Sequence, residues 1–431
     1  MAELLGVRAG RLPQHRVTSR LLLAAALTGL AAGLGAVALT VLLHAVQHLA
    51  FGYTENTFLT GVRHASPRRR VLALAAGGAI AGPGWALHRR WLRRHPDTPG
   101  ISVTGALAAA RPRLPVLATA VDAVLQIVAV GAGASLGREG APRQIGAALG
   151  GVAGGRLGLD ERQRRMLLAA GAGAGLAAVY NVPLGGVAFT LELLLGTLAP
   201  DAVAAAVVSS AVATVTGWPF LGTAPIYRVG APSFDLAVLV AALLIGPVAG
   251  VAGGAFRAAM TLARTHAPAG WPVAVTVPAT FAALGALAIG YPALLGNGKA
   301  LAQLALPGAL PVGLAVALVL LKPVATGACL GSGAIGGLLT PAFSTGAALG
   351  LLAGDAWSQL WPGGSATAYA LVGAAAMLAV TQRAPVTAVV LTLEFTHAGA
   401  ATLPAIAVAV LAARHSERWA RAAVLARRQV R

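Results

Sequence analysis

Apolar residues dominate the chain in long runs, and short segments rich in arginine, glycine or proline separate these runs. The first run, Leu21 to Leu43, is long enough for a membrane helix, since a full span needs about 20 apolar residues. It follows a basic segment, and it is too long for the apolar part of a signal peptide. The pattern therefore predicts a retained first membrane helix that begins on the cytoplasmic side.

Further apolar segments follow along the whole chain, and several are shorter than a full span. The pattern predicts helices at 71–88, 103–119, 123–136, 141–155, 165–181, 184–199, 201–217, 235–263, 272–295, 311–331, 335–353, 367–381, 384–397 and 401–413. Many of these segments contain Gly or Pro. Helix ends at membrane depth are tolerated only where they are buried in protein or line a wet cavity. This pattern favours a transporter or channel over a simple helix bundle.

Composition narrows the class of protein further. Of the 431 residues, 57% are hydrophobic and 10% are charged, whereas soluble domains carry about 25% charged residues. A soluble enzyme and a disordered chain are therefore set aside, and a single cysteine, Cys329, excludes a disulfide scaffold. The net charge of +19 is carried by short arginine clusters between apolar runs. This placement fits anionic lipid headgroups better than nucleic acid.

An internal repeat divides the chain into two halves. The sequence Gly-Ala-Ala-Leu-Gly occurs at 146–150 and again at 346–350. Pro183 and Pro385 are each followed nine residues later by a glutamate, Glu192 and Glu394. We therefore predict an N-terminal cytoplasmic segment at 1–20, membrane repeats at 21–200 and 201–413, and a basic cytoplasmic tail at 414–431. Inverted repeats place a substrate near the membrane midplane, between the halves.

Four carboxylates lie within apolar stretches, namely Asp122, Glu139, Glu192 and Glu394. A carboxylate in a membrane costs at least about 2.5 kcal/mol, so it marks a pathway or a paired site by default. We expect Glu192 and Glu394 to form hydrogen bonds at helix ends. Asp122 would pair with a basic residue or cap a helix, and the sequence gives it no functional role.

Glu139 has the most informative context, because glycines surround it and a helix of small residues follows. Open backbone amides at a helix N-terminus form an anion site. An ionised Glu139 could occupy that site itself and would leave it on protonation, which makes one titratable group a gate. The alternatives are that Glu139 caps its own helix or pairs with Arg138.

Several motifs resemble the CLC family of chloride channels and proton/chloride exchangers. The first is Gly137-Arg138-Glu139-Gly140, followed by Gln144-Ile145-Gly146. The others are the Leu168–Ala178 run with Tyr180-Asn181-Val182-Pro183, the Gly331–Pro341 loop, and Arg383-Ala384-Pro385 with Leu393-Glu394. They occur in order from about 98 to 412, which makes the resemblance specific.

The resemblance implies an all-α integral membrane fold, an inverted repeat of many short, tilted and broken helices. It also implies a multi-pass protein that forms a homodimer in the lipid bilayer of the inner membrane. Each subunit would contain an anion pore, and the cytosolic CBS pair of some relatives would be absent. Chloride is the expected transported anion, and protons are the candidate for a second transported ion. We expect no nucleic acid partner, cofactor, metal or enzymatic activity. Glu139 would be the gate. Anion-binding groups would be Thr98 and the backbone amides of Arg138, Glu139, Gly140, Leu338 and Leu339.

Some positions depart from the family pattern. Thr98 stands at the central serine position, but Pro99 beside it removes an amide. Gly399 stands at the central tyrosine position, and Ala141 follows the glutamate motif where chloride-type members usually have proline. Because fluoride exporters also depart there, a fluoride/proton antiporter remains an alternative.

Proton coupling is the other open question. Leu193 replaces the inner proton-transfer glutamate, and Glu192 beside it is the remaining candidate for that path together with Glu139. Leu cannot carry a proton, so we expect a channel or a weakly coupled exchanger, in which a proton gradient drives little uphill chloride movement. A different inner proton path would also fit.

Two further classes of protein remain as alternatives. Gly133-Ala134-Ser135-Leu136-Gly137 fits the G-x-S-x-G pattern of serine hydrolases, and an intramembrane hydrolase would also need a histidine partner. A membrane scaffold that transports nothing is the other. The Gly296–Lys299 segment lacks phosphate-loop spacing and is predicted to be a turn.

Overall fold

The computed structural model describes residues 17–54, 57–95, 98, 100–230 and 235–429, with the side chains of 423–429 left out. Most of the predicted N-terminal segment, together with Asp97 and Pro99, therefore lies outside the described residues. The described residues form helices, and no β-strand occurs within the described ranges. The predicted all-α class is confirmed.

Seventeen α-helices form within the described residues, and their order follows the predicted apolar segments closely. They are α1 Ser19–Phe51, α2 Phe58–His64, α3 Pro67–Arg94, α4 Val103–Ala108, α5 Val116–Gly131, α6 Gly140–Arg156, α7 Glu161–Tyr180, α8 Pro183–Ala188, α9 Pro200–Leu221, α10 Leu236–Thr265, α11 Val273–Gly290, α12 Lys299–Ala305, α13 Val312–Gly331, α14 Leu339–Ser358, α15 Ala366–Gln382, α16 Pro385–Thr396 and α17 Leu403–Gln429. A π-helical segment, Phe189–Leu195, continues α8.

Six of the helices are long and apolar enough to cross a membrane, namely α1, α3, α9, α10, α11 and α13. Several of the others are shorter than a full span, as the Gly and Pro interruptions predict. The protein is thus a multi-pass integral membrane protein built from both full and broken helices.

Two predicted elements differ from the structure, and one short helix after a correctly predicted turn was not expected. The 103–119 segment is two helices, α4 and α5, because the Arg111–Pro115 linker contains two prolines and two arginines. The turn at Gly296–Lys299 leads directly into α12, whose seven residues are too short for a periodic signal. The last helix, α17, continues through most of the basic tail to Gln429.

Arg70, near the start of α3, is a buried arginine. Its guanidinium is buried and donates to the carbonyls of Val62, Arg63, Ala288 and Ile289. Cations are stabilised by the carbonyls at helix C-termini, and here they belong to the ends of α2 and α11. Arg70 therefore has an internal structural role.

The two repeats exchange helix caps through Glu192 and Glu394. The Glu394 carboxylate accepts from the amides of Leu184 and Gly185 at 3.0 and 2.6 Å, at the start of α8. The Glu192 carboxylate accepts from the amides of Val386 and Thr387 at 3.1 and 2.7 Å, at the start of α16. Each half thus satisfies the open amides of the other half's helix, which is the helix-end role that the sequence predicts.

Gly146 marks a close helix crossing and generates a stability prediction. A Cβ on Gly146 would collide with the carbonyl oxygen of Gly171, where α6 crosses α7, whereas a Cβ on Gly151 would meet nothing within 4 Å. We predict that Gly146→Ala destabilises the protein by about 1–3 kcal/mol through overpacking. Gly151→Ala on the same helix should be neutral or slightly stabilising. Thermal midpoints in detergent compare the two, and equal midpoints would contradict the prediction.

Candidate anion site

Two loops that are equivalent in the repeats meet at the centre of the protein. Gly137, before α6, and Gly337, before α14, exchange two backbone hydrogen bonds of 2.8 Å each, in antiparallel register. Gly133 and Gly333, four residues earlier in each loop, both adopt left-handed backbone conformations, with φ of 114° and 97°. Glycine adopts this region without strain. The pairing brings the N-termini of α6 and α14 together.

The Glu139 side chain lies at this junction and is fully buried. Its Oε1 accepts a hydrogen bond of 2.8 Å from the backbone amide of Leu339, the first residue of α14. Its Oε2 accepts from the Tyr180 hydroxyl at 3.1 Å and from Thr340 Oγ1 at 3.4 Å. The carboxylate therefore binds to the helix N-terminus of the opposite repeat.

The two local alternatives for Glu139 do not describe this geometry. Its side chain forms no capping hydrogen bond to α6. The ion pairs among the described residues join other partners and do not include Arg138. The Arg138 guanidinium instead lies over the Tyr180 ring, 5.1 Å from its centroid, and reaches the carbonyl of Val179 at 3.3 Å.

Glycine is required on both sides of the Glu139 carboxylate. A Cβ on either Gly137 or Gly337 would collide with it. The backbone amides of Arg138, Glu139, Gly140 and Leu338 donate to no acceptor among the described residues. The site thus offers open peptide N–H groups from both loops, and Glu139 occupies the one at Leu339. Amides of this kind bind an anion through partial charges.

Tyr180 is the site residue that sequence reasoning missed. Its ring is buried against Phe395, with centroids 5.4 Å apart, and its hydroxyl donates to Glu139. Gly399 supplies no hydroxyl at the family's central tyrosine position. The signal was present, because Tyr180 belongs to the motif at 180–183, but the motif gives no indication of where its hydroxyl points.

A cavity of about 420 Å³ lies beside the site. Its polar lining includes the side chains of Ser102, Thr104, Gln126, Gln144, Arg143 and Asp122. Its other lining residues include Gly140, Gly336, Leu193 and Phe189. The Arg165 side chain, near the start of α7, donates to the carbonyls of Leu107 and Ala109. These two residues come shortly after the cavity residues Ser102–Thr104 in the sequence.

The structure does not bring every predicted site residue to this place. Thr98 is absent from the described cavity lining, and its amide donates to the carbonyl of His95 at 2.9 Å. Ser102 and Thr104, four and six residues later, provide the hydroxyls instead. Glu192 also lies outside the described lining, and both of its oxygens bind the start of α16. Leu193, in contrast, lines the cavity.

Ser135 lacks the surroundings of a hydrolytic nucleophile. It is buried and its hydroxyl is 3.2 Å from the hydroxyl of Thr326. Among the described residues no histidine forms a hydrogen bond with it. A serine nucleophile needs an adjacent base, so the described contacts of Ser135 do not support the hydrolase alternative.

The family of the chain follows from comparison with known proteins. The family model described as "Voltage gated chloride channel" matches residues 77–417, which is most of the chain. This protein therefore belongs to the voltage gated chloride channel family, the CLC family.

Individual relatives agree with this membership. The chain is 31% identical to the "H(+)/Cl(-) exchange transporter ClcA" of Cronobacter sakazakii over 415 residues, covering 92% of this chain and 86% of the relative. It is also 31% identical to the "Voltage-gated ClC-type chloride channel ClcB" of Citrobacter koseri over 395 residues, covering 88% and 91%. The relatives thus include both an exchanger and a channel.

Two solved structures share the fold. A slow cyanobacterial Cl-/H+ antiporter superposes with a TM-score of 0.79 at 22% identity, covering 93% of this chain and 95% of the other. A CLC-type fluoride/proton antiporter gives a TM-score of 0.74 at 22% identity, covering 92% and 95%. The likeness establishes the CLC fold with its inverted repeats.

The Tyr180 hydroxyl generates the prediction for this site. Tyr180→Phe removes one donor to the Glu139 carboxylate, and a hydrogen bond to a charged group contributes about 1.5–3 kcal/mol. We predict that anion efflux from vesicles at neutral pH rises about tenfold, because the carboxylate is held less tightly. Tyr227→Phe is the matched control: Tyr227 stacks on Phe343 in the same aromatic cluster, and its buried hydroxyl has no partner among the described residues. Equal efflux from both variants would contradict the prediction.

Proposed function

We propose that this protein transports a small anion, chloride in the first place, through a pore in each subunit, and that protonation of Glu139 gates the pore. One observation carries the proposal. The Glu139 carboxylate accepts a hydrogen bond from the Leu339 amide at 2.8 Å, in a junction of two helix N-termini where a free anion would bind.

The gate works by competition for peptide N–H groups. An ionised Glu139 satisfies the amide of Leu339 and the hydroxyls of Tyr180 and Thr340, so it excludes an anion from the same donors. Protonation removes the charge that these donors stabilise, and the side chain can then be displaced by a permeating anion. Neutral donors are suitable ligands, because conduction needs binding that is weak enough to allow release.

A channel and a proton-coupled exchanger differ in whether a proton moves together with the anion. The relatives carry both descriptions, an H(+)/Cl(-) exchange transporter and a chloride channel. Leu193 lines the cavity where an inner proton-transfer residue would be needed, and Glu192 caps α16 through both oxygens. These contacts favour a proton path that does not use Glu192.

Fluoride is the second candidate substrate, and Ala141 is the observation that favours it. Ala141 is buried directly after Gly140 at the start of α6, where chloride-type members usually have proline. A CLC-type fluoride/proton antiporter is among the structural neighbours. Competition among fluoride, chloride and bromide in one vesicle efflux assay separates the two substrates.

We also propose the assembly and placement of the chain. The subunit would form a homodimer in the inner membrane, with repeats at 21–200 and 201–413 and with segments 1–20 and 414–431 in the cytoplasm. The relatives' function as transporters and channels argues against an enzyme and against an inert scaffold.

Glu139→Gln tests the gating proposal. We expect anion efflux from reconstituted vesicles to become independent of pH between about pH 4 and 8, because the glutamine cannot ionise. The wild-type flux should rise as pH falls, since protonation releases the carboxylate. Glu161→Gln is the control, because Glu161 is an exposed carboxylate at the start of α7.

Two outcomes of the efflux measurement would contradict the proposal. A Glu139→Gln variant that keeps the wild-type pH dependence would refute the gate role. A wild-type protein that passes no anion would refute transport itself and favour the scaffold.

A further inference from the structure

The cavity beside Glu139 contains one carboxylate among its described lining residues, Asp122 on α5. We propose that Asp122 exchanges protons between the cavity and Glu139. Asp122 thus performs the inner proton transfer that the Leu193 side chain cannot perform. This inference rests on the proposed function and names a proton path for the same gate.

The surroundings of Asp122 leave it able to change charge. It is fully buried and accepts hydrogen bonds from Trp85 Nε1 at 3.0 Å and from Gln126 Nε2 at 2.8 Å. Both donors are neutral, and no ion pair among the described residues includes Asp122. An ion pair would hold the carboxylate in its charged form, whereas neutral donors allow both forms. An ionisable side chain that is buried in a membrane protein is by default a candidate for a functional site.

Charged and titratable groups face Asp122 from the neighbouring helices. His88 and Arg89 on α3 are close enough to interact with its charge. Arg143 on α6 and Arg264 on α10 line the same cavity. His88 is buried, and its Nε2 has no hydrogen-bond partner among the described residues. From α1, no described side chain reaches Asp122 with a hydrogen bond.

Gln126 connects Asp122 to the anion site. Its Nε2 donates to Asp122 and also to Gln144 Oε1 at 2.7 Å, and these two acceptors fix the orientation of the amide. Its Oε1 therefore points the other way, towards Gly140, where an added Cβ would collide with it. This oxygen is buried and receives no hydrogen bond within the described part of the chain.

The unpartnered Gln126 oxygen is aimed at the space next to the gate. The same added Cβ on Gly140 would lie 3.6 Å from the Gly337 amide nitrogen, and the Glu139 carboxylate lies directly against Gly337. Buried acceptors in polar cavities are satisfied by ordered water. A water bound to Gln126 Oε1 would stand between the Asp122 side of the cavity and Glu139.

The proton transfer balances without any other reactant. Protonated Asp122 gives its proton to a cavity water, and a proton from the water chain arrives on a Glu139 carboxylate oxygen. The negative charge thus moves from Glu139 to Asp122, where Trp85 and Gln126 stabilise it. Neutral Glu139 then releases the Leu339 amide to an anion. This path is a specific form of the different inner proton path that the sequence left open beside weak coupling.

The test measures protons and chloride together. Full-length protein in chloride-loaded vesicles is placed under a pH gradient, and chloride and proton electrodes record both fluxes. We expect the wild type to drive uphill chloride movement, and Asp122→Asn to lower the proton-to-chloride ratio at least tenfold. Asp122→Glu should restore part of the ratio, because the longer side chain again carries a proton. Glu192→Gln is the matched carboxylate control and should keep the wild-type ratio.

Each outcome decides the inference. An unchanged ratio in Asp122→Asn, or a wild type that moves no protons with chloride, overturns it. If Asp122→Asn fails to fold by gel filtration, Gln126→Leu takes its place and should lower the ratio as well, and an unchanged ratio there also overturns the path. Loss of pH dependence in Glu139→Gln together with an unchanged ratio in Asp122→Asn would leave the gate intact and reject only the proton path.

Discussion

The hydrogen bond from the Leu339 amide to the Glu139 carboxylate is the interaction on which this account depends. It joins a side chain of the first repeat to a helix N-terminus of the second repeat. A buried carboxylate needs such donors, because burying an unpaired charge is very costly. Under the proposed function the same donors would bind a small anion, so one geometry would both stabilise the buried carboxylate and define the position of the substrate.

The duplication creates this geometry through the backbone. Gly137 and Gly337 can pair only because neither has a side chain where the Glu139 carboxylate lies. The reciprocal caps from Glu192 and Glu394 hold the two halves together at a second place. Both features connect positions about 200 apart, so a repeat visible in the sequence becomes a pair of contacts across one interface.

The sequence could predict the fold class and the placement of Glu139 among backbone amides at helix N-termini, because both depend on local patterns. Apolar runs predict helices, and glycines around Glu139 predict open amides. It could not predict that Tyr180 donates its hydroxyl to Glu139, 41 positions away, or that Gln126 both binds Asp122 and reaches Gly140, because these side-chain directions follow from the packing of the helices. It placed Thr98 at the site by alignment, whereas the helix start at Val103 brings Ser102 and Thr104 to the cavity.

The most direct test of the central claim locates an anion where the carboxylate now lies. Crystals of Glu139→Ala soaked in bromide would be measured at the bromine absorption edge, beside wild-type crystals soaked in the same way. We predict an anomalous peak at the Leu339 amide in the variant and none at that place in the wild type with Glu139 ionised. A variant whose amides bind no bromide, or a wild type that holds bromide there together with the bound carboxylate, would contradict it.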